Sequence, residues 1–217
     1  MVIIDRQNSG QDGVGEWFYD FFELDIYSSQ KYIVKTNFND KRLLILNEVL
    51  KILSKSNLFI LKSFVINAFD KDEKRHEIKI NYDKNTSTEL SLESLFYSYL
   101  EAYDNLDVFS LKFFFDTNVL LEEEKYKLIQ ETFIVSLDTM NLSLLTDCDV
   151  WLPFDLRGNN QKELAQLNAP RLEKVLRDIE NKVGEEIVEG DSKYAHVEKY
   201  RVKNILDGFN QPLNVFD

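Results

Sequence analysis

The run from Thr132 to Arg157 alternates apolar and polar residues in two successive stretches, and this pattern constrains the fold more than any other part of the sequence. In an extended strand, neighbouring side chains point to opposite faces. The odd-numbered residues of 133–139 therefore share one face of a first strand, and the even-numbered residues of 144–154 share one face of a second. Such alternation is typical of antiparallel strands that are buried on one face and solvated on the other. The short connection at 140–142 predicts that the two strands form a hairpin.

The solvated face of this hairpin is the candidate binding site that the sequence predicts. Three aspartates fall on it, and a tryptophan at an interface centre can anchor a partner beside such charges. We expect charge reversal of Asp147 and Asp149 to impair binding without unfolding the protein, unless Trp151 is buried beneath the C-terminal helix. The predicted binding residues are these three aspartates, Asp138, Asp147 and Asp149, together with Trp151 and with Asp155, which directly follows the second strand.

The net charge of the chain indicates what kind of partner this face would bind. The 217 residues carry a formal net charge of −12 and contain no run of basic residues. Binding to a phosphate backbone depends on clusters of Lys and Arg, so the composition disfavours a nucleic-acid partner. An acidic surface favours a basic partner. The sequence therefore predicts a basic protein as partner and leaves the oligomeric state open.

Three sequence features predict a cytoplasmic protein without a membrane partner. Cys148 is the only cysteine, so no intramolecular disulfide can form, as is usual in reducing compartments. The first ten residues lack the basic start and long apolar core of a secretory signal. No segment approaches the roughly 20 apolar residues that a membrane-spanning helix needs.

The fold class follows from the order of the periodic segments. Apolar residues at helical spacing predict three long helices, starting near Asp40, Ser91 and Asn168, and Gly184 suits the position just after the last helix. Between them lie strands that alternate in the antiparallel manner. We predict a single α+β domain over residues 1–217, with a largely antiparallel sheet and about three long helices packed on it. The order helix, strand, strand occurs over 41–82 and again over 92–137, which suggests a pseudo-repeat.

One strand is predicted to contribute aromatic side chains to the core. In the predicted strand from Asp107 to Asp116, Phe109, Leu111, Phe113 and Phe115 face inward. The opposite face carries Ser110, Lys112 and Asp116, with Phe114 as an exception. The secondary structure of residues 16–27 and 191–217 is not assigned by the pattern.

The sequence contains few motifs that indicate catalysis. Asp147 and Asp149 form a D-x-D pair that could hold a divalent cation, but no glycine-rich phosphate loop accompanies it. His76 and His196 have no further His or Cys nearby in sequence to complete a zinc site. The sequence therefore predicts no catalytic residue, no metal ligand and no cofactor. A metal-dependent hydrolase or transferase that uses Asp147 and Asp149 is the alternative hypothesis.

The leading hypothesis is a non-enzymatic acidic protein-binding module. In charge, size and lack of catalytic motifs, the chain is similar to small acidic proteins that block a basic partner, of which toxin-immunity proteins are one class. An inhibitor or immunity-type function is the expectation that follows.

Overall fold

The computed structural model describes residues 1–3, 13–20, 41–82, 106–122 and 125–216. Within these ranges the chain forms nine strands and two helices. Their bounds are β1 (Gly15–Asp20), α1 (Lys41–Lys55), β2 (Phe59–Phe69), β3 (Arg75–Asn81), β4 (Asp107–Glu122), β5 (Lys125–Leu137), β6 (Asn141–Thr146), α2 (Lys162–Val183), β7 (Val188–Glu189), β8 (His196–Glu198) and β9 (Arg201–Lys203).

Seven of these strands form one sheet in the order β3-β2-β4-β5-β6-β1-β7, and every neighbouring pair is antiparallel. Strands β8 and β9 form a separate two-stranded hairpin. The prediction of an α+β fold with a largely antiparallel sheet is confirmed. Within the described ranges, neither helix is long and apolar enough to cross a bilayer.

The two helices pack against each other and on the sheet. Helix α1 contacts β2, and α2 contacts β4 and β9. The third predicted helix, starting near Ser91, lies outside the described residues. The first unit of the suggested pseudo-repeat is present as α1, β2 and β3, whereas the helix of the second unit lies outside the described residues. The single-domain organisation stays a prediction.

Helix α2 starts at Lys162, six residues before the predicted start at Asn168, so that predicted boundary is wrong. Pro170 lies inside the helix, although a proline cannot donate a backbone hydrogen bond. Asn168 is buried in the interior of the helix rather than at its start. Its amide nitrogen donates to the carbonyl oxygens of Leu164 and Leu120, both at 2.8 Å, and so joins the helix to β4. The helix ends as predicted, with Gly184 in the left-handed region at φ 81°.

The aromatic core of β4 lies where the sequence predicts it. Phe113 and Phe115 are fully buried, and the Phe113 ring stacks on that of Phe64 with centroids 5.6 Å apart. Phe109, predicted to point into the same core, is only half-buried. The register between β2 and β4 shifts between Asn67 and Ala68, and this irregularity interrupts the simple alternation.

Candidate functional site

Strand β6 ends at Thr146, and this early end breaks up the acidic face that the sequence predicts. Strands β5 and β6 do form the expected hairpin, with Leu137 opposite Leu142 and Phe133 opposite Thr146. Beyond Thr146 the pairing continues only as the hydrogen bond from the Asp147 amide to Thr132 and an isolated antiparallel bridge between Cys148 and Ile3. The chain then turns, and the amide of Leu152 donates to the carbonyl oxygen of Asp149 at 2.9 Å. The apolar–polar alternation of residues 147–154 therefore does not place their side chains on one face of the sheet.

Four of the five predicted binding residues are buried, so their predicted exposure is wrong. Asp147 is 4% exposed, Asp149 0%, Trp151 2% and Asp155 6%. Because a buried charge introduced without a partner is costly, we now expect reversal of Asp147 and Asp149 to Lys to unfold the protein.

Asp149 satisfies backbone amides inside the loop between β6 and α2. One of its carboxylate oxygens accepts from the amide of Val2 at 2.7 Å, and the other accepts from the amide of Leu156 at 3.0 Å. Burial raises the pKa of the Asp149 carboxyl, and these two hydrogen bonds offset only part of the increase. Gln161 completes the arrangement by donating to the carbonyl oxygens of Asp149 and Leu152 at 2.7 and 3.0 Å. Asp149 thus organises the loop.

Asp155 has a similar role further along the same loop. It accepts hydrogen bonds from the amides of Arg157 and Asn159 and from the side chain of Asn159, at 2.9 to 3.0 Å. Burial raises the pKa of the Asp155 carboxyl, but the hydrogen bonds from Asn159 and Arg157 outweigh it, and the net effect is a lowered pKa.

Asp138 lies at the other end of the hairpin and is partly exposed. Its carboxylate accepts from the amides of Met140 and Asn141 at 2.7 and 2.9 Å, as an aspartate commonly does in a turn. The six residues of β6 separate it from Asp147 by roughly 20 Å at the usual rise per residue. The structure therefore does not bring the predicted site residues together on one surface. Within the described ranges, no group of three or more His, Cys, Asp or Glu residues is placed to hold a metal ion.

A different acidic site, the carboxylate recess, lies where α2 ends. It is a cavity of about 500 Å³ between the segment after α2, the edge strand β7, strand β1 and the β8–β9 turn. The carbonyl end of a helix carries a partial negative charge, which adds to that of the side chains. The carboxylates lining the recess are those of Asp20, Glu185, Glu186 and Glu189.

The chain itself places one ammonium group at the carboxylate recess. Lys199, in the β8–β9 turn, lies with its Nζ 3.5 Å from a carboxylate oxygen of Glu186, and its backbone amide donates to the carboxylate of Glu189. Lys199 has a positive φ of 50°, which is uncommon for a residue with a side chain. Its carbonyl oxygen accepts from the indole nitrogen of Trp17 at 2.5 Å, which ties the turn to β1. The recess therefore already interacts with a cation of the kind that a basic partner would present.

A hydrogen bond to Glu180 links the β8–β9 turn to α2, and Tyr19 lies close enough to be affected by the same carboxylate. Tyr200 donates its hydroxyl hydrogen to Glu180 of α2, and this hydrogen bond raises the pKa of Tyr200. Tyr19 of β1 is fully buried, and its pKa is raised by burial and then by the negative charge of Glu180. The second carboxylate oxygen of Glu180 accepts from the amide of Ile187 at 3.0 Å. The two hydrogen bonds of Glu180 join α2 to the β8–β9 turn and to the segment after the helix, next to the recess.

The carboxylate recess is not predicted by the sequence pattern, although one part of the sequence points to it. Residues 185–191 contain four acidic residues directly after the glycine that ends α2. Asp20 and Lys199 could not be associated with that segment, because they are distant in sequence and the pattern assigned neither 16–27 nor 191–217.

Comparisons of the chain with protein-family models, with curated proteins and with solved structures found no significant match. Its class is therefore given by its fold alone: an α+β protein whose described residues form a seven-stranded antiparallel sheet and two helices.

Proposed function

We propose that this protein is a non-enzymatic acidic module that binds a basic protein partner through the carboxylate recess. Four carboxylates, those of Asp20, Glu185, Glu186 and Glu189, converge on one cavity at the carbonyl end of α2, and this convergence is the main support for the proposal. A net charge of −12 supports it, because long-range attraction brings a basic partner to the surface before the local contacts form.

In this proposal a Lys or Arg side chain of the partner enters the recess beside Lys199 or displaces it. The ammonium of Lys199 is about half exposed and pairs with a glutamate that is 77% exposed, so this pair is held weakly. A partner cation that contacts several carboxylates at once gains more than Lys199 does. Glu185, Glu186 and Glu189 are all exposed, so the partner can approach them.

Occupation of a partner's cationic site by this surface would block that site, which is how an inhibitor or immunity-type protein acts. The proposed location is cytoplasmic, and it is supported by a single cysteine, Cys148, which is buried and free. The alternative of a metal-dependent enzyme at Asp147 and Asp149 gains no support from the site, because both carboxylate oxygens of Asp149 accept backbone amides.

A comparison of two double charge reversals tests the proposal. Glu185→Lys with Glu186→Lys changes the recess, and Asp72→Lys with Glu77→Lys makes the same change of net charge at exposed positions on and near β3. Each variant and the parent protein are immobilised, and the proteins that they capture from the native host are identified. The association rate of the captured basic partner is then measured at several salt concentrations.

We expect the recess variant to lose the basic partner, with association slowed roughly tenfold or more and its salt dependence flattened, because nearby charges steer association. The matched control should retain the partner. Equal losses in both variants would show that net charge alone is responsible, and retention by both would show that the recess is not the binding site.

A further inference from the structure

A second concavity, the apolar groove, lies between α2 and the strand β9. Its volume is about 710 Å³, within the usual range for ligand pockets. Trp151 and Val202 form part of its floor, and both are almost fully buried. Asn204 joins two walls of the groove, because its side chain donates to the carbonyl oxygen of Phe154 at 2.7 Å and accepts from the Phe154 amide at 3.1 Å. The groove is therefore well defined by the fold.

The charges around the apolar groove are opposite to those of the rest of the protein. Lys162, Arg201 and Lys203 line it, against one carboxylate, Glu173. Glu173 already pairs with Arg177 and Arg201, each at 2.7 Å. Lys203 pairs in turn with Glu198 of β8. Basic side chains still outnumber acidic ones in the lining of the groove, although the chain as a whole carries a net charge of −12. An occupant with an apolar side chain and an acidic neighbour complements this arrangement.

The chain carries a segment with this chemistry, the turn at 207–211. Phe209 at its tip is 86% exposed. Asp207 accepts from the amides of Phe209 and Gln211, both at 2.8 Å, and its own amide donates to the carbonyl oxygen of Gln211 at 2.8 Å. The turn is therefore ordered before any contact, which lowers the entropic cost of binding. Its exposure shows that Phe209 does not occupy the groove of its own chain.

We infer that the apolar groove binds the 207–211 turn of a second copy of this chain, and that the protein forms a symmetric dimer through two such contacts. Leu206 both lines the groove and immediately precedes the turn, so a twofold axis near it makes the exchange reciprocal. Phe209 enters the groove, and Asp207 lies towards the cationic rim. The contact also covers further exposed apolar side chains of the same segment, Leu206, Leu213 and Phe216. The inference does not depend on the carboxylate recess.

The dissociation constant of the full chain, measured by sedimentation over a range of concentrations, tests the inference. Phe209→Ser should weaken the dimer on the order of a hundredfold, because a buried aromatic anchor at the centre of an interface is lost. Lys162→Glu with Lys203→Glu should weaken it as well. Met140→Ser, at an exposed apolar position of the β5–β6 turn, is the matched control and should leave the dimer unchanged.

Cross-linking between two singly substituted copies tests the geometry. A side chain at Gly208 meets no atom within 4 Å, so Gly208→Cys should fold, and Gln166 is an exposed residue lining the groove. On mild oxidation, a mixture of Gly208→Cys and Gln166→Cys should form a mixed disulfide that links one copy of each variant. A mixture of Gly208→Cys and Met140→Cys should not form the corresponding mixed disulfide. The inference is overturned by a monomer at concentrations up to roughly a millimolar, by a dimer insensitive to Phe209→Ser, or by equal cross-linking in both mixtures.

Discussion

Trp151 donates its indole hydrogen to the hydroxyl oxygen of Thr146 across 2.9 Å, and both side chains are buried. Thr146 is the last residue of β6, and Trp151 follows after the chain has turned. The contact therefore holds the loop between β6 and α2 against the end of the hairpin.

Replacement of Thr146 by Val should destabilise the protein by about 1–3 kcal/mol, because the buried indole N–H loses its acceptor while the shape of the side chain is retained. The midpoint of urea unfolding measures the effect, with an unchanged denaturant slope. Ser143→Ala is the control on the same strand, since the Ser143 hydroxyl bonds the side chain of Asn141 at the strand's other end. An equal loss in both variants would contradict a specific role for Thr146.

Replacement of Asn168 by Asp should be among the most damaging isosteric changes in α2. The amide nitrogen of Asn168 donates to two carbonyl oxygens at 2.8 Å, and a carboxylate there would face both without a hydrogen to donate. We expect a loss of roughly 2–4 kcal/mol, typical of a buried polar group left unsatisfied. Thermal and urea unfolding measure it, and Gln166→Glu at an exposed position of the same helix should change little.

Replacement of Phe113 by Ala should cost about 3–5 kcal/mol, because it removes a fully buried ring and leaves a cavity beside Phe64. Urea unfolding monitored by circular dichroism measures the loss. Tyr126→Ala on β5 is the control, since Tyr126 is 55% exposed. A loss below about 1 kcal/mol for Phe113→Ala would contradict the core assignment.

The contribution of Glu173 to stability should depend on pH. Hydrogen bonds from Arg201 and Arg177 lower the pKa of its carboxyl in the folded protein. The stabilisation is therefore present above the unfolded-state pKa and is lost as pH falls through the folded-state pKa. Glu173→Gln should be slightly less stable than the parent protein at pH 7, and the difference in unfolding free energy should vanish in acid. A difference that grows on acidification would contradict this assignment.

The thiol of Cys148 should be protected in the folded protein. Burial raises its pKa to about 12, and the reactive thiolate is then scarce at neutral pH. A thiol reagent should label Cys148 only as fast as the protein unfolds, and at once in denaturant. Gly208→Cys supplies an exposed thiol as an internal control. Immediate labelling of Cys148 under native conditions would show that the loop after β6 opens readily.

The features that depend on local periodicity follow from the amino-acid sequence alone. The alternation within β5 and β6 predicted their hairpin, and the apolar stripe after residue 40 predicted α1. Gly184 marked the end of α2 because glycine accommodates a positive φ without strain. These predictions succeeded because neighbouring residues alone set which side chains share a face of a strand or helix.

The positions of the acidic residues depend instead on the tertiary structure. A two-residue alternation relates side chains only while the chain stays extended, and the turn after Thr146 ended that relation for Asp149 and Trp151. A carboxylate that accepts buried amides also looks the same in sequence as a solvated one. The carboxylate recess joins Asp20 to the segment after α2, and the apolar groove joins α2 to β9. Contacts between such distant segments depend on sheet order and helix packing, which local patterns do not encode.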